Sequence, residues 1–430
     1  MNEAFFITAE ELSEKGYGEL PTELKSSEHL IYSSPATLAF NSPGAKGFGV
    51  KRAGLAIPGS VMLLVAPGCC GRNTALLSDL GYNERFFYLM LDDTDIVTGR
   101  HLTKIPKAVR ELCDELDYTP SAVMICITCV DALLGTDMER VCRKCEEVSG
   151  IPAVPCYMYA LTREKRLPPM AAVRKAVYSL LKPQKRISNE CNIMGFFSPL
   201  DDDCEIYALL KSAGIKQVRE LSRCKSMEEY HELSRANFNL VLNAESRYAA
   251  QETEKALGIP SVELTRMYQT DKIRNQYRLL GQAIGAEFDD GEYYRRAEKT
   301  VSDFREKYGS LTFAVGENLN GDSFEMSLAL LRYGFKVAEI YGTVTERNFI
   351  FVRKIAELSP ETKIFSNLSP TMIFYEEVCK PDAVIGSDAV YYHPETPGVH
   401  FNEETQPFGY RGVELLFGKL NKAISENKII

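Results

Sequence analysis

The sequence lacks tryptophan, an excess of basic charge and any long apolar run. Its longest apolar run, residues 61–67, has the length of a strand, whereas a membrane-spanning helix needs about 20 apolar residues. The 50 Lys and Arg against 59 Asp and Glu give a formal net charge of −9. This charge argues against nucleic-acid binding, because phosphate contacts need clustered cations. The first residues include an early acid and no basic stretch, unlike a secretory signal. We expect a cytoplasmic chain that binds neither nucleic acid nor membrane.

Signature motifs of several common enzyme classes are also absent from the sequence. It contains no G-x-x-x-x-G-K-[ST], which argues against a P-loop nucleotide site. It has no G-x-G-x-x-G after its first strand, so nicotinamide binding has no support. Neither G-x-S-x-G nor H-E-x-x-H occurs. Residues of other types therefore have to carry the chemistry.

Short apolar runs alternate with amphipathic stretches along the whole chain. Runs such as 61–65 predict buried strands, and patterns such as 105–116 predict helices. Buried strands that alternate with helices form parallel sheets covered on both faces. We predict an α/β fold of three Rossmann-like, doubly wound parallel-sheet domains, at residues 1–188, 189–300 and 301–430.

The ends of the predicted strands supply polar candidates for a binding site. Ligands of open parallel sheets bind beyond the carboxyl ends of the strands. Four polar residues follow strands directly: Asn243, Arg247, Glu317 and Asn318. For each of them, ordinary loop packing is the alternative.

A long polar loop with interleaved aromatic residues is predicted at 387–412, after a helix predicted at 369–378. Loops of this length in compact domains are usually functional. The loop contains His393 and His400, which are candidates for metal ligation or proton transfer. A solvated or packed histidine is the alternative for each.

Twelve cysteines are the unusual feature of the composition. Cys69 and Cys70 follow a strand and a Pro-Gly turn and precede a predicted helix, where backbone N–H groups and the helix dipole favour a thiolate. Cys126 ends another strand, and Cys129 lies in the turn that opens the next helix. Such positions suit the ligands of an iron–sulfur cluster. Cysteines that only fill space in a tight turn are the alternative.

Two other interpretations of Cys126 and Cys129 remain open. With the Cys142-x-x-Cys145 pair they form a nested set that resembles a zinc ribbon. Against zinc, Cys142 and Cys145 lie one turn apart on a continuous predicted helix. A thioredoxin-type redox pair needs its first cysteine at a helix N-terminus, whereas Cys126 is still in the strand.

Several segments in the right order resemble the nitrogenase component 1 family. Residues 66–71 (APGCCG) resemble the family's GPxGCG turn, and residues 129–137 (CVDALLGTD) resemble its CPxxLIGDD turn. Residues 92–112 are similar to its EKDIVFGG stretch. Near the end, residues 380–389 (KPDAVIGSDA) resemble KPDLIGSG, and residues 406–416 resemble the GPYHGYDG stretch that faces the cofactor. The resemblance covers nearly the whole chain and implies three Rossmann-like domains.

The resemblance transfers only some of the family's ligands. Cys70 matches the cluster cysteine of the Gly-Cys-Gly turn, and Cys129 matches the cysteine that opens the CPxxLIGDD helix. An earlier cluster cysteine of the family falls near Ala53. The cysteine that holds the iron–molybdenum cofactor falls near Asn243, and the cofactor histidine falls near His400. Reduction of dinitrogen is therefore not expected.

The resemblance implies an iron–sulfur cluster, 4Fe-4S or larger, that bridges two subunits. Four thiolates hold a cubane, so Cys70 and Cys129 would supply half of the ligands, and a second copy or a paralogous subunit would supply the rest. Alternatively, Cys69 and Cys126 replace the missing ligand.

The implied function is a nitrogenase-like reductase component that receives electrons from an ATP-dependent iron protein. The alternatives are a non-catalytic scaffold for assembly of a complex iron–sulfur cofactor and a cluster-free binding protein. Candidate cofactor-binding residues are Asn243, Arg247, His393 and His400.

Overall fold

The computed structural model describes residues 3–25, 53–68, 84–128, 134–157, 167, 169–377 and 379–430. The described strands, in chain order, are β1 (Ile7–Thr8), β2 (Val61–Ala66), β3 (Phe86–Met90), β4 (Val123–Ile127), β5 (Ala153–Tyr157), β6 (Glu190–Met194), β7 (Gln217–Glu220), β8 (Phe238–Val241), β9 (Ser261–Glu263), β10 (Thr312–Val315), β11 (Lys336–Tyr341), β12 (Lys363–Phe365), β13 (Ala383–Ile385) and β14 (Gly398–Val399). The described α-helices are α1 (Ala9–Lys15), α2 (Asp93–Val97), α3 (His101–Glu115), α4 (Met138–Ser149), α5 (Pro169–Tyr178), α6 (Glu205–Ser212), α7 (Met227–Glu232), α8 (Arg247–Leu257), α9 (Thr270–Ile284), α10 (Gly291–Tyr308), α11 (Ser323–Arg332), α12 (Phe349–Leu358), α13 (Ser387–Tyr392) and α14 (Gly409–Glu426).

These strands form three sheets, in the orders β3-β2-β4-β5, β7-β6-β8-β9 and β1-β12-β11-β10-β13-β14. Every described pairing is parallel except that of β1, which runs antiparallel to β12 at an edge. Apart from β1, each sheet falls within one of the three predicted domains. The described residues cluster into two compact units. The first unit takes the described parts of 1–45, 198–213 and 266–430, and the second takes those of 46–197 and 214–265.

The second unit contains the first two sheets and their apolar cores. All residues of β2 and β4 are buried, because helices and loops cover both faces of the first sheet. One core lies on the side of α3 and α4, and the other lies on the side of α5. This burial explains why both strands are continuous apolar runs without alternation.

The first unit contains the third sheet, where two predictions for the end of the chain were wrong. A 3-10 helix at Pro370–Phe374 replaces the longer helix predicted at 369–378, because Tyr375 is already extended. The predicted loop at 387–412 contains α13, β14 and the first turn of α14. The backbone N–H groups of Tyr410 and Arg411 donate to the buried Glu205 carboxylate, which anchors the start of α14.

Candidate functional site

The two predicted cysteine turns leave the first sheet at the same edge. β2 and β4 are adjacent parallel strands, and Val65 is the register partner of Ile127. Adjacent strands lie about 4.8 Å apart, so the chain enters both turns side by side. Cys69, Cys70 and Cys129 themselves lie outside the described residues. Their role as cluster ligands stays a prediction.

Cys126 is fully buried in β4 and faces the α5 side of the sheet. Its register partner across the strand pair is Cys156, also fully buried. A hydrogen bond with Cys126 and burial together raise the pKa of the Cys156 thiol. Cys126 therefore sits within apolar packing, and its role as a replacement ligand stays a prediction.

Cys142 and Cys145 lie on α4, in the core on the opposite face of the sheet from Cys126. Burial raises the pKa of the Cys142 thiol strongly and that of Cys145 to about 12, so both stay protonated. These positions argue against the zinc ribbon, because the sheet separates Cys126 from Cys142 and Cys145. In the described part of the chain, no three His, Cys, Asp or Glu side chains come together as metal ligands.

Asn243 and Arg247 lie at the carboxyl edge of the second sheet. The Asn243 side chain accepts a hydrogen bond from the Glu245 N–H at 2.9 Å and so caps the 3-10 helix Ala244–Ser246. Arg247, the first residue of α8, forms an ion pair with Glu263 at the end of β9. Both side chains thus have local structural partners.

A residue that the sequence analysis missed, Arg174 on α5, lies at the same edge. Its side chain is 6% exposed, and its guanidinium donates to the Glu245 carboxylate at 2.7 Å. It also donates twice to the Gly195 carbonyl, at 3.1 and 3.2 Å, and lies over the Phe197 ring. Burial lowers the pKa of Arg174. This cation links the ends of β6 and β8, and its position inside an amphipathic helix gave no sequence signal.

Glu317 and Asn318 lie at the carboxyl edge of the third sheet, around the buried carboxylate of Asp388. Asp388 accepts from the N–H groups of Glu317 and Asn318, at 2.8 and 3.0 Å. It also accepts from the Asn367 amide at 2.6 Å. A Cβ atom at Gly316 would lie 2.0 Å from the Asp388 Oδ1, so only glycine permits this approach.

The Glu317 carboxyl has the chemistry of a proton carrier. Its Oε1 accepts from the Thr343 N–H at 3.1 Å, whereas its Oε2 is buried and has no hydrogen-bond partner among the residues that the structure describes. Burial raises the pKa of Glu317 to about 7, and the charges of Asp388 and Asp322 add to the increase. A carboxyl with this pKa exchanges a proton at neutral pH, as general acids and bases do.

The two candidate histidines occupy different surroundings. His400 follows β14 at the edge of the third sheet, is exposed, and lies with its Nδ1 3.2 Å from the Ser387 hydroxyl. His393 is fully buried and contacts Glu339 and two tyrosines away from solvent. The structure therefore brings His400 to the same sheet edge as Glu317 and Asn318 and places His393 in a separate cluster.

Comparisons with known proteins agree with this architecture. The sequence model of the family described as nitrogenase component 1 type oxidoreductase matches residues 46–423. The nitrogenase iron-molybdenum cofactor biosynthesis protein NifE of Nostoc sp. is 24% identical over 274 residues, which are 59% of this chain and 55% of that protein. The nitrogenase molybdenum-iron protein alpha chain of Methanosarcina barkeri is 24% identical over 55% of this chain and 44% of that protein. The chain thus matches about half the length of these relatives.

A solved structure titled "Nitrogenase Cp1 at pH 6.5" has the same fold, with a TM-score of 0.69 at 16% identity, over 88% of this chain and 91% of that one. The predicted fold class is confirmed. No helix within the described ranges is long and apolar enough to cross a bilayer. Because the family's sequence model covers most of its length, this chain belongs to the nitrogenase component 1 family of oxidoreductases.

Proposed function

We propose that this chain is the cluster-binding subunit of a nitrogenase-like reductase, with Cys70 and Cys129 as ligands of an iron–sulfur cluster of the 4Fe-4S type or larger. The observation that carries the proposal is the register of β2 and β4, which starts both cysteine turns at one sheet edge. Two thiolates per chain suit a cluster that a second subunit completes. The relative named as an alpha chain supports a paralogous subunit over a second copy.

The substrate of this reductase is not dinitrogen. The candidate side chains that the structure describes at the carboxyl edges of the second and third sheets are amides, a carboxylate and an imidazole rather than thiols: Asn243, Asn318, Glu317 and His400. Asn243, where the family places its cofactor cysteine, caps a 3-10 helix instead. An unsaturated or sulfur-containing small molecule, including a tetrapyrrole, suits such polar surroundings.

The chain's own contribution to the reaction is position and a proton. When bound, the cluster supplies one-electron transfer, and an ATP-dependent iron protein supplies the electrons. Reduction of one double bond of an unsaturated substrate consumes two electrons and two protons. Glu317 holds such a proton near neutral pH, on a carboxyl group whose Oε2 has no hydrogen-bond partner within the described ranges. Asp388 fixes the backbone that presents Glu317, through its bonds to two successive N–H groups.

A second candidate function is a scaffold that binds a cofactor precursor and passes it on. The relatives named as NifE cofactor biosynthesis proteins favour it. In that role the same cysteines bind iron, but no electron passes through the protein to a substrate.

One anaerobic experiment separates the two functions. The chain, purified with its partner subunit, is mixed with an ATP-dependent iron protein, ATP and dithionite, and the EPR signal of the cluster is followed. ATP-dependent reduction and reoxidation supports the reductase. An unchanged signal, with transfer of ⁵⁵Fe-labelled cluster to an apo-acceptor, supports the scaffold. Cys142→Ala, on the far side of the sheet from Cys126, is the matched control and should behave as wild type in both assays.

A further inference from the structure

A buried polar cluster in the first unit lies apart from the strand-end residues of the proposed site. Glu339 and Tyr341 lie two residues apart on β11, so their side chains share one face of the third sheet. Tyr375 follows the 3-10 helix, and His393 follows α13. Glu339, Tyr341 and His393 are fully buried, and Tyr375 is partly buried. We call these four residues the tyrosine–histidine cluster.

Four atoms of the cluster lie close to one another in every pairing. Glu339 Oε2 lies 2.7 Å from the Tyr341 hydroxyl and 2.9 Å from the Tyr375 hydroxyl. His393 Nε2 lies 3.0 Å from the Tyr341 hydroxyl and 3.2 Å from the Tyr375 hydroxyl. The two hydroxyls lie 2.8 Å apart, and Glu339 Oε2 lies 3.0 Å from His393 Nε2. Four points with six nearly equal separations form a tetrahedron.

Too few protons are present to make all six contacts into hydrogen bonds. An ionised Glu339 carboxylate accepts hydrogen bonds and donates none. Each tyrosine supplies one proton. The Nδ1 of His393 lies 3.1 Å from the Glu377 carboxylate. In the neutral ring, the single imidazole proton sits on Nδ1 and is donated to that carboxylate. Two protons, or three with an imidazolium, therefore serve six contacts, and the remaining contacts join lone pairs.

We propose that Glu339, Tyr341, Tyr375 and His393 form a mononuclear metal site that takes ferric iron. A cation at the centre turns the opposed lone pairs into four coordinate bonds. One carboxylate and two phenolates balance the three charges of the ion, and the imidazole is a common iron ligand. Binding releases the two phenol protons to solvent, together with the Nε2 proton of His393 where the ring is an imidazolium, so the affinity falls as pH is lowered. This site is independent of the cluster at Cys70 and Cys129.

The surroundings of the cluster suit a metal ligand set. Tetrahedral sites with metal–ligand bonds near 2.0 Å have ligand separations of about 3.3 Å, so the four atoms need to move apart by only a few tenths of an ångström. Glu377 bonds to the second nitrogen of His393, the arrangement that orients metal-binding histidines. The Glu377 side chain is 43% exposed, which gives an ion a path from solvent.

The test uses the metal-depleted full chain and ferric nitrilotriacetate as the probe. We expect one ferric ion per chain, a visible phenolate-to-iron charge-transfer band and phenolate vibrations in the resonance Raman spectrum, which cluster iron does not give. Tyr375→Phe should lower the affinity at least tenfold. Tyr308→Phe, which removes a hydroxyl bonded to Asn421 elsewhere in the same unit, should bind as wild type.

A second variant keeps the test valid if Tyr375→Phe fails to fold. Glu377→Gln lies outside the four donor atoms and should weaken binding by roughly 10–100-fold, the usual effect of losing such a partner. Circular dichroism and thermal unfolding of each variant establish that it is folded.

Absence of stoichiometric iron with a charge-transfer band in the wild type overturns the proposal. So does an unchanged band in a folded Tyr375→Phe chain. Retention of the band in the Cys70→Ala chain, with loss of cluster iron, shows that the two sites are separate.

Discussion

The backbone N–H of Glu317 donates to the Asp388 carboxylate at 2.8 Å, which holds two carboxyl groups side by side at the edge of the third sheet. Asp388 accepts hydrogen bonds from Glu317, Asn318 and Asn367, whereas Glu317 Oε2 has no partner in the described part of the chain. Burial and the neighbouring charge therefore act against ionisation of Glu317. The pKa of Glu317 is therefore about 7, and ionisation of this carboxyl at higher pH destabilises the fold.

Glu317→Gln should stabilise the protein at high pH. A carboxyl whose folded pKa lies above its unfolded value of about 4.3 binds more protons in the folded state, so stability falls as pH rises between the two values. Below about pH 4 the carboxyl is protonated in both states and costs no stability. Above pH 7 its ionisation lowers the free energy of unfolding by its full amount, on the order of 3 kcal/mol. Urea unfolding at pH 4 and pH 8 should show the gain at pH 8 alone.

Glu325→Gln is the matched control for that prediction. Burial raises the pKa of Glu325 to about 7 as well, but its two oxygens accept from the Tyr268 N–H and the Gln269 amide. An amide nitrogen in place of one oxygen would face a donor, so this variant should lose stability at both pH values. Equal effects of the two substitutions would contradict the assignment of Glu317 as the unpartnered carboxyl.

Arg174→Lys should destabilise the second unit by about 1–3 kcal/mol. Lysine presents a single point charge and loses the forked contact with the Gly195 carbonyl and the Glu245 carboxylate. The neighbouring Lys175→Met changes a half-exposed side chain and should stay within about 0.5 kcal/mol of wild type. Denaturant midpoints of both variants provide the measurement, and a neutral Arg174→Lys would be inconsistent with the described contacts.

Gly409→Ala should lower the free energy of unfolding by at least about 2 kcal/mol. The φ angle of Gly409 is +59°, and a Cβ atom added there would lie 1.9 Å from Glu205 Oε1. Glu205 is buried and also accepts the Tyr277 hydroxyl at 2.6 Å, so it has little room to move. Gly418→Ala lies on the same helix with no atom near its added methyl, and should raise stability by up to about 1 kcal/mol. Thermal unfolding of the pair checks both signs. A harmless Gly409→Ala would argue against the Glu205 anchor.

The buried strands could be predicted because each is a short, continuous run of apolar residues in the sequence. The strand predicted at residues 61–65 missed only the last residue of β2, which is a continuous and fully buried apolar run. Turn residues mark their ends. The 3-10 helix at Pro370–Phe374 was missed because its end depends on the extended Tyr375, not on a local stop signal.

The position of a candidate residue could be predicted from the sequence only where that residue directly follows a strand. Glu317, Asn318 and His400 share one sheet edge, since parallel strands end together. The unusual pKa of Glu317 depends on Asp388 and on burial, neither of which a local pattern reveals. Likewise, His393 contacts residues 16 and 54 positions earlier in the chain, so its surroundings are set by tertiary packing.

The most direct test of the account is iron and acid-labile sulfide analysis of the anaerobically purified protein, with EPR, for wild type, Cys70→Ala, Cys129→Ala and the control Cys142→Ala. We predict a cluster in wild type and in the control, and its loss or conversion in each of the other two variants. A wild-type cluster that survives both substitutions, or a wild-type protein without iron and sulfide after reconstitution, would contradict the assignment of these cysteines as ligands.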